Sequence, residues 1–259
     1  MAAIVKDGIE IRQCHSLDEY EEGVRLERVI WGEEITVPAP IFVVADHTGG
    51  QVIGAFDGEK LVGMTLALAG FRGTLRFLHS HMTAVLPEYQ NRGVGRRLKL
   101  FQRQDALKRG IPLVEWTFDP LELKNAHFNL VRLGAVARRY IPDCYGVTES
   151  PLHAGLPTDR LVAEWWLDSV RVKEILAGNL PPANPAVQRI SIAANISELK
   201  KRDRASGERV QALTRQHFLK LFGKEFVATG VENHGDTTDY LLEPRDSVAG
   251  VHLPELSPG

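Results

Sequence analysis

Val85-Leu86-Pro87-Glu88-Tyr89-Gln90-Asn91-Arg92-Gly93-Val94-Gly95-Arg96 joins a β-rich run to a strongly helical one. Its chemistry is that of a phosphate cradle. Gly93 and Gly95 let the backbone turn tightly and approach a ligand with no Cβ in the way. The N–H groups that open the following helix point at a common centre, and the helix dipole adds positive potential there. Arg92 and Arg96 add formal charge. A pyrophosphate fits such a site. Two other Gly-rich readings are excluded. The dinucleotide fingerprint needs a third Gly after two intervening residues, where Leu98 stands. No Gly-Lys-Ser/Thr follows, which removes a P-loop. A purely structural strand-to-helix turn is the competing reading.

What remains is Gln/Arg-x-x-Gly-x-Gly preceded by Val-x-Pro. Here the chain resembles the GCN5-related N-acetyltransferase (GNAT) superfamily. Gln90, Asn91, Arg92, Gly93, Val94 and Gly95 match its acyl-CoA motif in order, and Val85 and Pro87 match the end of the preceding strand. The resemblance covers roughly Ile9 to Ser169, and its specific part is the cradle. It implies a mixed α/β (α+β) fold with a splayed, mostly antiparallel sheet flanked by helices. It also implies acetyl-CoA, or another acyl-CoA, bound through Gln90 to Arg96.

The pattern around the cradle is compatible with that order of elements. Ile9 to Arg12 alternates as a short strand. Ser16 and Glu19 form a capping box, which predicts a helix from Leu17 to about Trp31. Pro38 and Pro40 precede a short helical or irregular stretch, Ile41 to Asp46. Gln51–Phe56 and Lys60–Ala69 are apolar runs joined by Asp57-Gly58, a hairpin signal. Leu75 to Val85 is a third strand. Val94, Leu98 and Phe101 recur at i, i+4 and i+7, and Lys108-Arg109-Gly110 with Pro112 ends that helix. Leu113–Phe118 reads as a strand, Asn125–Leu133 as a helix, and Gly134–Tyr140 and Leu161–Leu167 as strands.

The texture changes after Ala177. The predicted organisation is a core over 1–175, a Gly/Pro/Asn-rich linker over 176–187, and a β-α-β subdomain over 188–259. The last piece is expected to cover a sheet edge, shape the acceptor site or make a homodimer contact. One long helix is expected over roughly Ser197 to Leu221, with Gly207 as its weak point. The charge run Lys200 to Arg204 reads as a solvated helix face.

Composition sets the wider bounds. The chain has 259 residues, 44% hydrophobic and 25% charged, as globular proteins do. A net charge of −2 gives no bulk attraction to nucleic acid or anionic membrane. Cys14 and Cys144 make no disulfide framework, and no His/Cys/Asp/Glu cluster has metal-ligand spacing. No apolar run is long enough to span a membrane, and no basic-then-apolar leader opens the chain, so the expected location is cytoplasmic.

For catalysis, the resemblance assigns the strand before the cradle a backbone role. The N–H groups of Thr83, Ala84 and Val85 would bond the pantetheine arm and polarise the thioester carbonyl. His79, His81, Thr83 and Val85 share one strand face by the period of two. His79 stands where histone-acetylating relatives carry a carboxylate base, and a histidine can take a proton near neutral pH. A structural histidine is the alternative, and His81 is the second candidate. Glu115, inside the apolar run Leu113–Phe118, is either paired or facing a cleft, because burying a lone carboxylate is costly. There it is a candidate to orient the substrate amine or act as base through water; the alternative is an ordinary position on the solvent face of the strand. Asn125 and Asn129 are candidate partners of the pantetheine arm, or caps. The family's proton-donating tyrosine is replaced by Leu130, leaving Tyr140 or Tyr145 to supply a phenol. Asp119-Pro120-Leu121 and Tyr140–Gly146 are expected to line the acceptor pocket.

The first reading is an acyl-CoA-dependent N-acyltransferase acting on a small-molecule or peptide amine by direct attack. The second is an acyl-CoA-binding sensor without efficient catalysis, motivated by Leu130. A third is an aminoacyl transferase using charged tRNA, against which the near-neutral charge argues.

Overall fold

The computed structural model describes residues 3–33, 36–146, 155–181 and 184–255. Pro182 and Ala183 of the linker-like stretch lie outside the described residues. The chain forms two compact units, Met1–Glu115 and Trp116–Gly259. The division falls inside a strand rather than in the Gly/Pro-rich stretch after Ala177. Among the described residues no helix is long and apolar enough to cross a membrane.

The first unit is a sheet with helices on both faces. β1 (Ile4–Lys6), β2 (Ile9–Gln13), β3 (Gln51–Asp57), β4 (Lys60–Arg72) and β5 (Leu75–Val85) pair in that order, each antiparallel to the next. Gly58 and Glu59 form the turn between β3 and β4, with Gly58 at φ 59°, one position later than the Asp57-Gly58 signal. The start of β6 (Leu113–Phe118) then pairs parallel to β5, over Phe77, Leu78 and His79 only. β3 and the first two thirds of β4 are buried almost throughout, which explains their near-continuous apolar sequence.

Two helices, α1 (Leu17–Trp31) and α2 (Ala39–His47), cover one face of the sheet. The Ser16–Glu19 capping box that starts α1 is formed on both sides. α1 lies close to β4 because Gly23 has no side chain: a Cβ there would sit 2.5 Å from Met64 Sδ. α3 (Val94–Lys108) covers the opposite face and buries the predicted stripe of Val94, Leu98 and Phe101. It buries Lys99, Gln102 and Asp105 as well, which the apolar stripe did not announce.

In the second unit the antiparallel order is β8 (Arg160–Trp166), β7 (Val136–Ile141), β10 (Phe226–Asn233), β11 (Thr237–Pro244) and β9 (Gln188–Ala193). α4 (Leu123–Ala126) continues as a π-helical turn over His127–Arg132, and α5 is Val170–Ala177. The C-terminal elements do not stand apart behind a linker. β10 pairs with β7 through Ala228 and Ala137, so they continue the sheet and close an edge that would otherwise be open.

Two expectations for this region are corrected. The long helix is two, α6 (Ile196–Arg202) and α7 (Arg204–Phe222), and the break is at Asp203 rather than Gly207. Asp203 has extended backbone and its side chain accepts from the Ser206 N–H, so it caps α7 and cannot continue α6. The charge run is not a fully solvated face either. Lys200 is buried, with Nζ 3.3 Å from Asp119 Oδ2 and 3.1 Å from Glu122 Oε1. Two carboxylates compensate its desolvation.

Glu27 on α1 is wholly buried. Its Oε2 accepts from the Val37 N–H at 2.7 Å, and its Oε1 has no hydrogen-bond partner among the described residues. Desolvation pushes its pKa from the ordinary 4.5 up to about 7. The folded state therefore holds a proton that the unfolded chain has released between these values. Its stabilising effect is full below pH 4.5 and is lost as pH rises through about 7. Glu27→Gln should flatten that decline and raise the melting temperature above pH 7 by a few degrees, as read by thermal melts across pH 4–9. An unchanged pH slope would contradict the assignment.

Candidate active site

β5 is not a regular strand. Met82 pairs with Leu66, whereas Ser80 pairs with Ala67, so His81 is an extra residue and the ladder bulges around it. The bulge reverses the alternation of side chains. Ser80 Oγ lies 2.7 Å from Lys99 Nζ on α3, and Thr83 Oγ1 contacts Thr65 Oγ1. A Cβ at Gly63, the partner of Val85 and two residues before Thr65, would touch both Val85 and Val94 of α3. Ser80, Thr83 and Val85 therefore turn toward α3. His79 and His81 turn to the other face, with ring centroids 6.5 Å apart. The expectation that His79, His81, Thr83 and Val85 share one face fails for this reason: a period of two holds only in an unbulged strand.

On the His79 face the structure brings three polar groups together. Glu115 on β6 pairs in register with His79, and Glu115 Oε1 is 4.0 Å from His79 Nδ1. Arg72, at the end of β4, places Nη2 3.0 Å from both Glu115 oxygens. Its guanidinium carbon lies 4.8 Å from the centre of the Phe77 ring. The buried Glu115 thus has the partner that its apolar surroundings required. His79 is half-buried beside it, with a ring nitrogen able to accept a proton. His81 is held below the ordinary histidine range, first by desolvation and then by His79.

The cradle follows β5 through a short 3-10 turn, Pro87–Tyr89. Gln90 Nε2 donates to the Val85 carbonyl at 3.0 Å, tying the loop to the strand end. Asn91 has φ 58° and Gly93 φ 78°, two left-handed residues that swing the chain into α3. Gly93 is the N-cap of α3, which has no side-chain cap, so its first N–H groups face outward. An added Cβ at Gly93 would meet nothing within 4 Å, and at Gly95 only Val85 Cγ2 at 3.9 Å. The space in front of the turn is open, as an anion there requires. Arg97 donates to the Lys6 and Ile9 carbonyls at 3.0 and 2.6 Å and anchors this end of the helix to β2. The Arg92 guanidinium lies 5.1 Å from the Tyr89 ring centre.

The remaining expected residues belong to the second unit. Asn125 is exposed on α4, and Asn129 is buried in the π-helical turn, where its carbonyl accepts from the Ala135 N–H. Leu130 is buried beside it. The Tyr145 hydroxyl is 2.8 Å from Thr117 Oγ1, and desolvation raises its pKa, so the phenol keeps its proton at neutral pH. Tyr140 is buried and donates to Asp159 at 2.6 Å, a structural bond.

Residues 13–134 match the acetyltransferase (GNAT) family. The chain carries a GNAT acetyltransferase domain. None of the curated proteins matches the sequence. Among solved structures, smu.2055 from Streptococcus mutans shares 16% identity at a TM-score of 0.51, over 61% of this chain and 99% of that one. The protein yncA from Salmonella typhimurium, solved with its cofactor acetyl-CoA, shares 16% identity at 0.50, over 62% and 95%. Naa50 from Arabidopsis thaliana, in complex with the bisubstrate analogue CoA-Ac-MVNAL, shares 12% identity at 0.50, over 61% and 97%. These likenesses are ones of fold. The GNAT domain includes the whole of β5, the cradle and α3.

Sequence reasoning missed Arg72 and Lys99. Arg72 lay three residues beyond the predicted end of the Lys60–Ala69 strand, which in the structure runs on to Arg72. Lys99 and Gln102 flank the Leu98–Phe101 stripe, a signal that the buried face of α3 is partly polar. The Arg72–Glu115 pair yields a direct expectation. Arg72→Ala should lower unfolding free energy by about 3 kcal/mol, because it strands a buried carboxylate. Arg72→Ala combined with Glu115→Leu should recover much of the loss. Chemical denaturation of the three variants reads this, and a fully additive double variant would contradict it.

Proposed function

We propose that this protein transfers an acetyl group from acetyl-CoA to an amine of a small molecule or peptide by direct attack. The observation that carries the reading is the turn at Gly93: a left-handed glycine, open space before it and an uncapped helix start directly after a strand. The residues that would hold the cofactor are Gln90 to Arg96, through backbone N–H groups, with Thr83, Ala84 and Val85 of β5 presenting backbone to the pantetheine arm. The CoA thioester, when bound, supplies an activated acyl carbon and a good leaving group. His79 takes the proton that the acceptor amine gives up. Glu115, fixed by Arg72, stabilises the imidazolium that results.

A sensor that binds acyl-CoA without turnover is the second reading, favoured by the buried Leu130 at the position where the family pattern has a tyrosine. Calorimetry with acetyl-CoA beside a thiol-release assay over an amine panel separates the two. Binding with turnover supports the transferase, and binding without turnover on any amine supports the sensor. Gly93→Asp should weaken acetyl-CoA binding by at least about 100-fold, since it sets a Cβ and a carboxylate against the pyrophosphate. His79→Ala should lower kcat by about 100-fold or more while leaving acetyl-CoA affinity near the wild-type value. Unchanged affinity in Gly93→Asp would defeat the cradle, and unchanged kcat in His79→Ala would defeat the base.

A further inference from the structure

Lys99 lies on α3, one turn after Gly95, and is 3% exposed. Its Nζ donates to Ser80 Oγ at 2.7 Å and to Gln102 Oε1 at 3.1 Å. A lysine is an expensive way to fill such a space. Desolvation pushes its pKa down to about 7, and an apolar chain would pack there without that penalty. What the amine provides is a fixed direction. Ser80 is the residue immediately before the bulged His81 and stands between His79 and His81. A bulge leaves its extra residue outside the ladder, so the strand around it has to be located by other contacts. The Lys99–Ser80 bond locates it on one side, and the Thr83–Thr65 contact on the other.

The same helix is held at two further points. Gln51 on β3 donates to the Gln102 carbonyl at 3.2 Å and to Asp105 Oδ2 at 2.7 Å. Arg97 anchors the first turn to β2. α3 is thus rigid against the sheet, with the cradle on its first turn and the pin to the bulge on its second.

We propose that Lys99 is a positioning residue. Through Ser80 it fixes the β5 bulge relative to the first turn of α3, and so sets the spacing between the pyrophosphate cradle and the strand backbone that receives the thioester. The proposal rests on the acetyl-CoA reading. It predicts a defect in reaction geometry rather than in cofactor affinity, because the cradle itself is untouched.

The test compares Lys99→Met, Ser80→Ala, Ser80→Thr and the Lys99→Met/Ser80→Ala double variant, using full-length protein. Affinity for CoA, KM for acetyl-CoA, kcat and melting temperature are measured for each. Both single variants should keep CoA affinity within about threefold of wild type and lose about 10- to 100-fold in kcat, the scale of a misplacement near 1 Å. The double variant should be no worse in kcat than the worse single one, since both single variants remove the same Lys99–Ser80 bond. Ser80→Thr, which keeps the hydroxyl, should recover most of the kcat lost in Ser80→Ala. Unchanged kcat in folded Lys99→Met, or losses of kcat and CoA affinity that track melting temperature, would overturn the pin. A wild-type protein that binds no acetyl-CoA would instead defeat the donor reading on which it rests.

Discussion

The start of α3 has no side chain to close it. Every helix leaves its first N–H groups without intrahelical partners, and most satisfy some of them with a Ser, Thr, Asp or Asn cap. α1 and α7 do so with Ser16 and Asp203. α3 begins instead at a left-handed glycine. That choice trades a stabilising cap for a bare concave turn of positive potential, suited to an anion. The anchoring of α3 follows from it. The helix is tied to the sheet along its length by Arg97, Lys99, Gln102 and Asp105, as the proposed anion site on its first turn would need.

Three of the buried ionisable side chains described in the first unit, Glu115, Glu27 and Lys99, are handled differently, and the differences are informative. Glu115 is paired with Arg72, beside a histidine on the same sheet face. Glu27 has one backbone donor and shifts toward its neutral form. Lys99 has hydroxyl and amide acceptors and also shifts toward its neutral form. Of these three, only the first sets an ion pair beside a histidine that faces away from α3. This is why the His79 side of β5 is the reacting side in this account, while the α3 side is its rigid backing.

Much of this was legible in the sequence where the cause is local. The turn between β5 and α3 depends on Gly93 and on the helix signal after it, so that strand-turn-helix could be read directly. Ser16 and Glu19 announced α1, and Val94, Leu98 and Phe101 announced the buried stripe of α3. What could not be read depends on pairing between distant strands. The bulge at His81 is a mismatch of β5 against β4, and no alternation pattern records an inserted residue. It moved Thr83 and Val85 to the face opposite His79. Arg72 became a site residue only because β4, β5 and the start of β6 lie side by side. Lys200 looked solvated because its carboxylate partners, Asp119 and Glu122, lie about 80 positions earlier in the chain. Asp203 was missed as a cap inside what read as one charged helix.

The central claim is that the turn at Gly93 receives the pyrophosphate of a CoA thioester. A crystal structure of the protein grown with CoA tests it most directly. The account predicts pyrophosphate oxygens within hydrogen-bonding distance of the backbone N–H groups between Gly93 and Arg96, with the pantetheine arm running along β5 toward His79. CoA bound with its pyrophosphate at another part of the chain, or a turn left empty at saturating CoA, would contradict it.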